Sequence, residues 1–166
     1  MNRTIFSNHP SGQKMTIERE FNAPLDVVWQ AWTDASLLDQ WWAPHPWKTE
    51  TKYQDFSEGG HWLYSMNGPE GEQHWARFDY DRIVNEKAFD GTDAFTDDAG
   101  NVNKELPGMQ WEVVFTPKED STHVGVLASF ASQEALQQHV EMGFKEGFAA
   151  AHDNLDRLLE KIMAGA

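Results

Sequence analysis

The chain has 166 residues, no cysteine and a formal net charge of −14. A single domain of this length buries enough surface to need no covalent staple. The missing thiols exclude disulfides, thiolate metal sites and cysteine nucleophiles, and the negative surplus repels phosphate backbones and anionic bilayers, so neither nucleic acid nor membrane is an expected partner.

The N-terminal segment MNRTIFSNHPSGQ lacks the hydrophobic stretch of a secretion signal, and no apolar run is long enough to span a bilayer, so a cytoplasmic protein is expected. Residues 1–13 read as a loose polar arm on which Ile5 and Phe6 could dock, followed by one domain over 14–166. Met15, Ile17 and Phe21 alternate with polar residues and predict a strand, with Arg19 interrupting its apolar face. The period then changes. Leu25, Val28, Trp29 and Trp32 follow the spacing of one helix face behind Pro24, which suits a first turn. Asp34 is a candidate N-cap for a second short helix over 35–41. Trp29, Trp32, Trp41, Trp42 and Trp47 crowd this corner, and Pro44 and Pro46 end it. Such a cluster needs a broad apolar surface to cover.

Six strands follow, over 47–56, 61–66, 73–84, 87–95, 111–116 and 122–130. Asn67-Gly68-Pro69-Glu70-Gly71 is a dense turn signal between the second and third, and 96–108 is a polar loop. Ser132 is a candidate N-cap for one long helix reaching Ile162, with Leu136, Val140, Phe144, Phe148, Leu155 and Leu159 on a single face. Strand, two helices, six strands and a long helix make an α+β fold: a curved antiparallel sheet wrapped around its C-terminal helix, with room for a cavity between the two.

Three segments carry a resemblance to a known family: REFNAPLDVVWQAWTDASLLDQWW, DFSEGGHWLYSMNGPEG and VEMGFKEGFAAAHDNLDRLL. Over about residues 15–162 the sequence resembles the bacterial relatives of the heat-shock-protein-90 ATPase activator, within the SRPBCC or START-like superfamily. The resemblance implies the helix-grip fold. It also implies a hydrophobic cavity against the C-terminal helix, where superfamily members bind lipids, hormones or polyketides and a few act as enzymes. The eukaryotic activator has a separate N-terminal domain that helps engage the chaperone. Only a short polar arm precedes the fold in this sequence, an expectation that weighs against a chaperone partner.

In the hairpin over 61–84, His74, Ala76, Phe78 and Tyr80 fall on one strand face, and Trp62, Tyr64 and Met66 on the matching face of the partner. With the turn centred near Pro69, His74 lies opposite Tyr64. The candidate ligand-binding set is Trp62, Tyr64, Met66, His74, Phe78, Trp111 and Phe115 on the sheet, with Phe144 and Phe148 on the helix. Composition alone favours a filled core for these aromatics. The resemblance favours a pocket wall with a few polar tips. No cofactor is expected, and no metal site: HExxH is absent, and His61 and His74 fall about 10 Å apart at ~3.3 Å per residue, too far to share a ligand shell. No nucleophile elbow surrounds any serine, and Gly59-Gly60 lacks the helix and Lys-Ser/Thr pair of a phosphate loop.

The reading is a START-like protein holding a small hydrophobic or aromatic ligand. One alternative is a chaperone-accessory or other interaction module. Another is an enzyme with His74 or Tyr64 as proton shuttle, because histidine titrates near neutrality.

Overall fold

The structure, a computed structural model, describes residues 3–105 and 108–165. Residues 1 and 2 of the arm, 106 and 107 of the polar loop, and 166 lie outside the described residues. Eight strands form one antiparallel sheet: β1 (Ile5–Asn8), β2 (Lys14–Phe21), β3 (Lys48–Gln54), β4 (His61–Asn67), β5 (Gln73–Val84), β6 (Ala88–Thr96), β7 (Met109–Pro117) and β8 (Thr122–Phe130). Their spatial order is β1-β2-β8-β7-β6-β5-β4-β3. Helices α1 (Leu25–Thr33) and α2 (Ala35–Leu38) follow β2, and α3 (Gln133–Glu141) and α4 (Phe144–Ala164) follow β8. This is the helix-grip arrangement. No described helix is long and apolar enough to cross a membrane.

Period two explains which sheet face is covered. Met109, Trp111, Val113 and Phe115 are buried on β7 while the residues between them are exposed. On β8 Thr122, Val124, Val126, Ala128 and Phe130 are buried in the same alternation. The side chains that point inward meet Val28, Trp29 and Trp32 from α1 and Phe148, Ala151, Leu155 and Leu159 from α4 in one core.

The α1–α2 corner is held by polar contacts that regular helix bonds leave open. Asp34 accepts from Ser36 N at 2.8 Å, the expected N-cap. Trp41 Nε1 donates to Ala31 O at 2.9 Å. The Gln54 side chain accepts from Ala35 N at 2.9 Å and donates to Thr33 O at 2.8 Å, tying the end of β3 to the corner. The second helix stops at Leu38 rather than reaching residue 41, because Gln40 and Trp41 donate in tighter turns to Leu37 O and Leu38 O.

Three further expectations are corrected. The arm over 1–13 contains a strand: β1 pairs with β2 in the register Phe6↔Ile17, and Gly12, at φ 74°, turns the chain between them. Ile5 stays exposed while Phe6 packs against the core. The single C-terminal helix is two. Its break falls at Gly143, whose φ of 89° lies in the left-handed region that a continuing helix cannot use. Finally, β4 and β5 are two residues out of the expected register. His74 faces Met66, and Tyr64 faces Ala76. The turn is centred on Glu70, closed by Gly68 N donating to Glu72 O at 2.8 Å. A shift of two keeps every side chain on its expected face, where a shift of one would have inverted them.

Candidate functional site

A cavity of about 230 Å³ lies where the sheet face of β4 to β7 meets the α3–α4 break. Tyr64 and Met66 from β4, Ala76 from β5, Asp93 and Phe95 from β6, and Met109 and Trp111 from β7 form the sheet side. His139, Met142 and Gly143 at the break, with Phe144, Gly147 and Phe148 on α4, form the helix side. Trp42 and Pro44 from the tryptophan corner complete the wall. The helix break itself contributes to the wall, through Met142 and Gly143.

Five of the nine expected site residues, Tyr64, Met66, Trp111, Phe144 and Phe148, line the cavity. Trp62 and Phe78 lie beneath it, around a void of about 10 Å³, which holds one water at most. Trp62 stacks on Tyr64 at 4.0 Å between ring centroids and donates Nε1 to Thr51 Oγ1 at 2.9 Å. Phe115 sits deeper, against Trp29 at 5.0 Å and Phe89 at 6.1 Å. His74 is exposed and stacks on Trp47 at 5.5 Å. It occupies an inward position of β5, but near the end of the strand, where Trp47 and not the helix covers it. A proton shuttle based on His74 therefore has no place in this cavity.

Four polar groups interrupt the apolar wall. The Tyr64 hydroxyl oxygen accepts from Trp42 Nε1 at 3.1 Å. Burial pushes the Tyr64 phenol well above its usual range, and the nearby Asp93 charge raises it further. His139 Nδ1 lies 2.9 Å from Ala135 O, a contact that requires the proton on Nδ1 because a carbonyl only accepts. Trp111 Nε1 is buried without a hydrogen-bond partner. Asp93 is the one acidic residue in the lining. It is part-exposed, and its cross-strand neighbours Phe78 and Met109 are both apolar. Burial pushes it from 3.8 up to about 7, Asp79 adds repulsion, and only the Ala94 backbone opposes the shift.

Asp93, His139 and Trp42 are functional candidates that the sequence reading missed. Asp93 carried a usable signal. Phe89, Gly91, Asp93 and Phe95 alternate along β6, so a carboxyl falls on an otherwise apolar face. Gly91 belongs to the same design, since a Cβ there would lie 2.2 Å from Phe78 Cε1. Trp42 belongs to the tryptophan corner, yet its ring also contacts Trp62, Tyr64, Trp111 and Phe148. His139 gave no signal beyond helical spacing. Among the described residues, no three His, Asp or Glu side chains converge to hold a metal ion.

Comparison with known proteins places this geometry in a group. The family model described as "Activator of Hsp90 ATPase homolog 1-like protein" matches residues 22–160. The crystal structure of protein Ms6760 from Mycobacterium smegmatis is 30% identical, with 95% of this chain and 96% of that one covered and a TM-score of 0.87. A solution structure of a protein from Arthrobacter aurescens is 28% identical over 95% and 91% of the two chains, with a TM-score of 0.89. Protein NE0264 from Nitrosomonas europaea is 25% identical over 94% and 99%, with a TM-score of 0.80. No curated protein matches the sequence.

Proposed function

The chain belongs to the Activator of Hsp90 ATPase homolog 1-like family, and from that premise we propose that it binds a small apolar or aromatic molecule in the cavity between the sheet and the α3–α4 break. The observation that carries this reading is the cavity itself: about 230 Å³ of space in a domain whose other aromatics pack ring against ring. An apolar cavity of ~150 Å³ already takes up benzene, so one or two fused rings fit here. The lining has the character of a ligand site, with a mostly apolar wall and a few placed polar groups.

Titration with naphthalene tests the proposal, read by tryptophan fluorescence, because Trp42 and Trp111 both line the cavity. The expected result is saturable quenching or enhancement. Gly147→Leu, which places a side chain at the cavity wall, abolishes it. Linear, non-saturating change up to the solubility limit, identical in both proteins, would overturn the proposal. A chaperone-accessory role has the family description in its favour, but no surface feature among the described residues singles out a chaperone partner.

A further inference from the structure

Asp93 is not placed as a structural carboxylate is. It sits on the concave face of β6, between Phe78 and Met109 as its cross-strand neighbours. None of the ion pairs among the described residues includes it. On the neighbouring strand Arg77 pairs with Asp79, with Nε 2.8 Å from Oδ1. A carboxyl set on a mostly apolar face without an ion-pair partner costs stability. A group that costs stability and points into a ligand cavity is a candidate for chemistry. Beside it stands Tyr64. Its oxygen already accepts from Trp42 Nε1, which leaves the hydroxyl hydrogen for a ligand.

We propose that the cavity carries out proton transfer on carbon, with Asp93 as general base and the Tyr64 hydroxyl as hydrogen-bond donor, and that its substrate is a small apolar ketone bearing a C–H bond next to the carbonyl. This rests on the ligand-binding reading above. The ionised Asp93 carboxylate takes the proton from the carbon. The C–H electron pair forms the new C=C bond, and the carbonyl π pair moves onto oxygen, which the Tyr64 hydroxyl stabilises by donating to it. Asp93, now a carboxylic acid, returns the proton to the same carbon or, in a conjugated substrate, to a more distant one. Nothing is oxidised or reduced, and no co-reactant is consumed.

The surroundings suit both roles. A general base works best when it titrates near the working pH, and burial brings Asp93 to about 7. The Tyr64 phenol, pushed the other way, stays protonated and able to donate. The titratable and charged groups around Asp93 are Tyr64 on β4, Asp79 with its partner Arg77 on β5, and His139 on α3. β7 and α4 present only Met109, Trp111, Phe144, Gly147 and Phe148 to the cavity.

The test is deuterium exchange into 2-tetralone in heavy water, followed by NMR, with binding of the same compound measured separately. The wild-type protein is expected to exchange the α-protons at least tenfold faster than buffer, with a rate that rises through about pH 7 as Asp93 ionises. Asp93→Asn and Asp93→Ala should both bind 2-tetralone and exchange at the buffer rate. Tyr64→Phe should fall to near the buffer rate, because one oxyanion donor is usually worth on the order of a hundredfold. Saturable binding without exchange, or equal exchange in wild type and both Asp93 variants, overturns the proposal and leaves the binding reading intact. No saturable binding of 2-tetralone or naphthalene overturns both.

Discussion

Arg19 breaks the apolar alternation of β2, and the structure supplies the reason. Arg19 is 3% exposed and its guanidinium is buried beneath α4. There it donates to Asp156, to Asp153 Oδ1 at 2.9 Å and to Thr4 Oγ1 at 2.9 Å. The anomaly in the sequence pattern therefore marks a buried ion-pair network that fixes α4 to the sheet. Its partners could not be read from the chain, because they lie 134 and 137 residues away. Arg19→Met leaves Asp156 buried without its cation. The expected loss is about 3–5 kcal/mol, measured as a lower urea midpoint at unchanged m-value. A loss below about 1 kcal/mol would mean that the network is no stronger than a surface pair.

His152 belongs to the same network and sets an acid limit. Its Nδ1 meets Thr4 Oγ1 at 2.9 Å, its Nε2 has no partner, and its ring packs on Phe148 at 4.3 Å and Phe21 at 5.4 Å. Burial pulls it from 6.5 down to about 3, and the Arg19 charge adds to the shift. The unfolded chain then takes up a proton that the folded chain refuses. Stability is fully present above pH 6.5 and drains away as the pH falls from 6.5 towards 3. Denaturation curves across that window should show the decline, and His152→Gln should flatten it. Asp93 acts in the opposite sense. The folded state holds its proton up to about pH 7, so stability falls as the pH rises from near 4 to 7, and Asp93→Asn should gain stability at pH 8.

At the scale of elements, the β-sheet was legible and the break in the C-terminal helix was not. Alternation located seven of the eight strands, because a sheet with one covered face leaves a period-two pattern whatever its partners. β1 escaped because its edge position leaves Ile5 and its neighbours largely exposed and without alternation. The helix stripe from Leu136 to Ile162 runs through the break without losing its phase, so periodicity sees one helix where there are two. Gly143 was the available signal. A Cβ there would meet nothing within 4 Å, so a substitution is penalised by its φ of 89° alone. Gly143→Ala should cost about 1–2 kcal/mol, and Gly143→Asn less, since asparagine tolerates that region. Equal melting temperatures for all three proteins would show that the break does not depend on glycine.

For the whole molecule, the open question in the sequence was whether the inward aromatics fill the core or wall a cavity. No residue pattern decides that. Volume left over is a small difference between the space enclosed and the side chains inside it, and both depend on where α3 departs from α4. The same side chains serve either outcome, which is why Phe115, Trp62 and Phe78 could be placed on the correct face yet not at the correct depth. The cavity should also oppose stability, and Gly147 allows the two to be separated. It lies within α4 on the cavity wall, and a Cβ there meets nothing closer than Pro44 Cγ at 3.8 Å. Gly147→Ala therefore gains helix propensity of about 1 kcal/mol without a clash. Gly147→Leu gains similarly and adds apolar contacts inside the cavity. Both variants should melt at higher temperature than the wild type. Ligand uptake should fall in the opposite order, slightly for alanine and completely for leucine, as expected where a site is kept open at the expense of packing. Calorimetric melting of the three proteins beside naphthalene titrations checks both halves. If Gly147→Leu lowers the melting temperature, the space is already filled by side chains that must be displaced, and the aromatics are core rather than cavity.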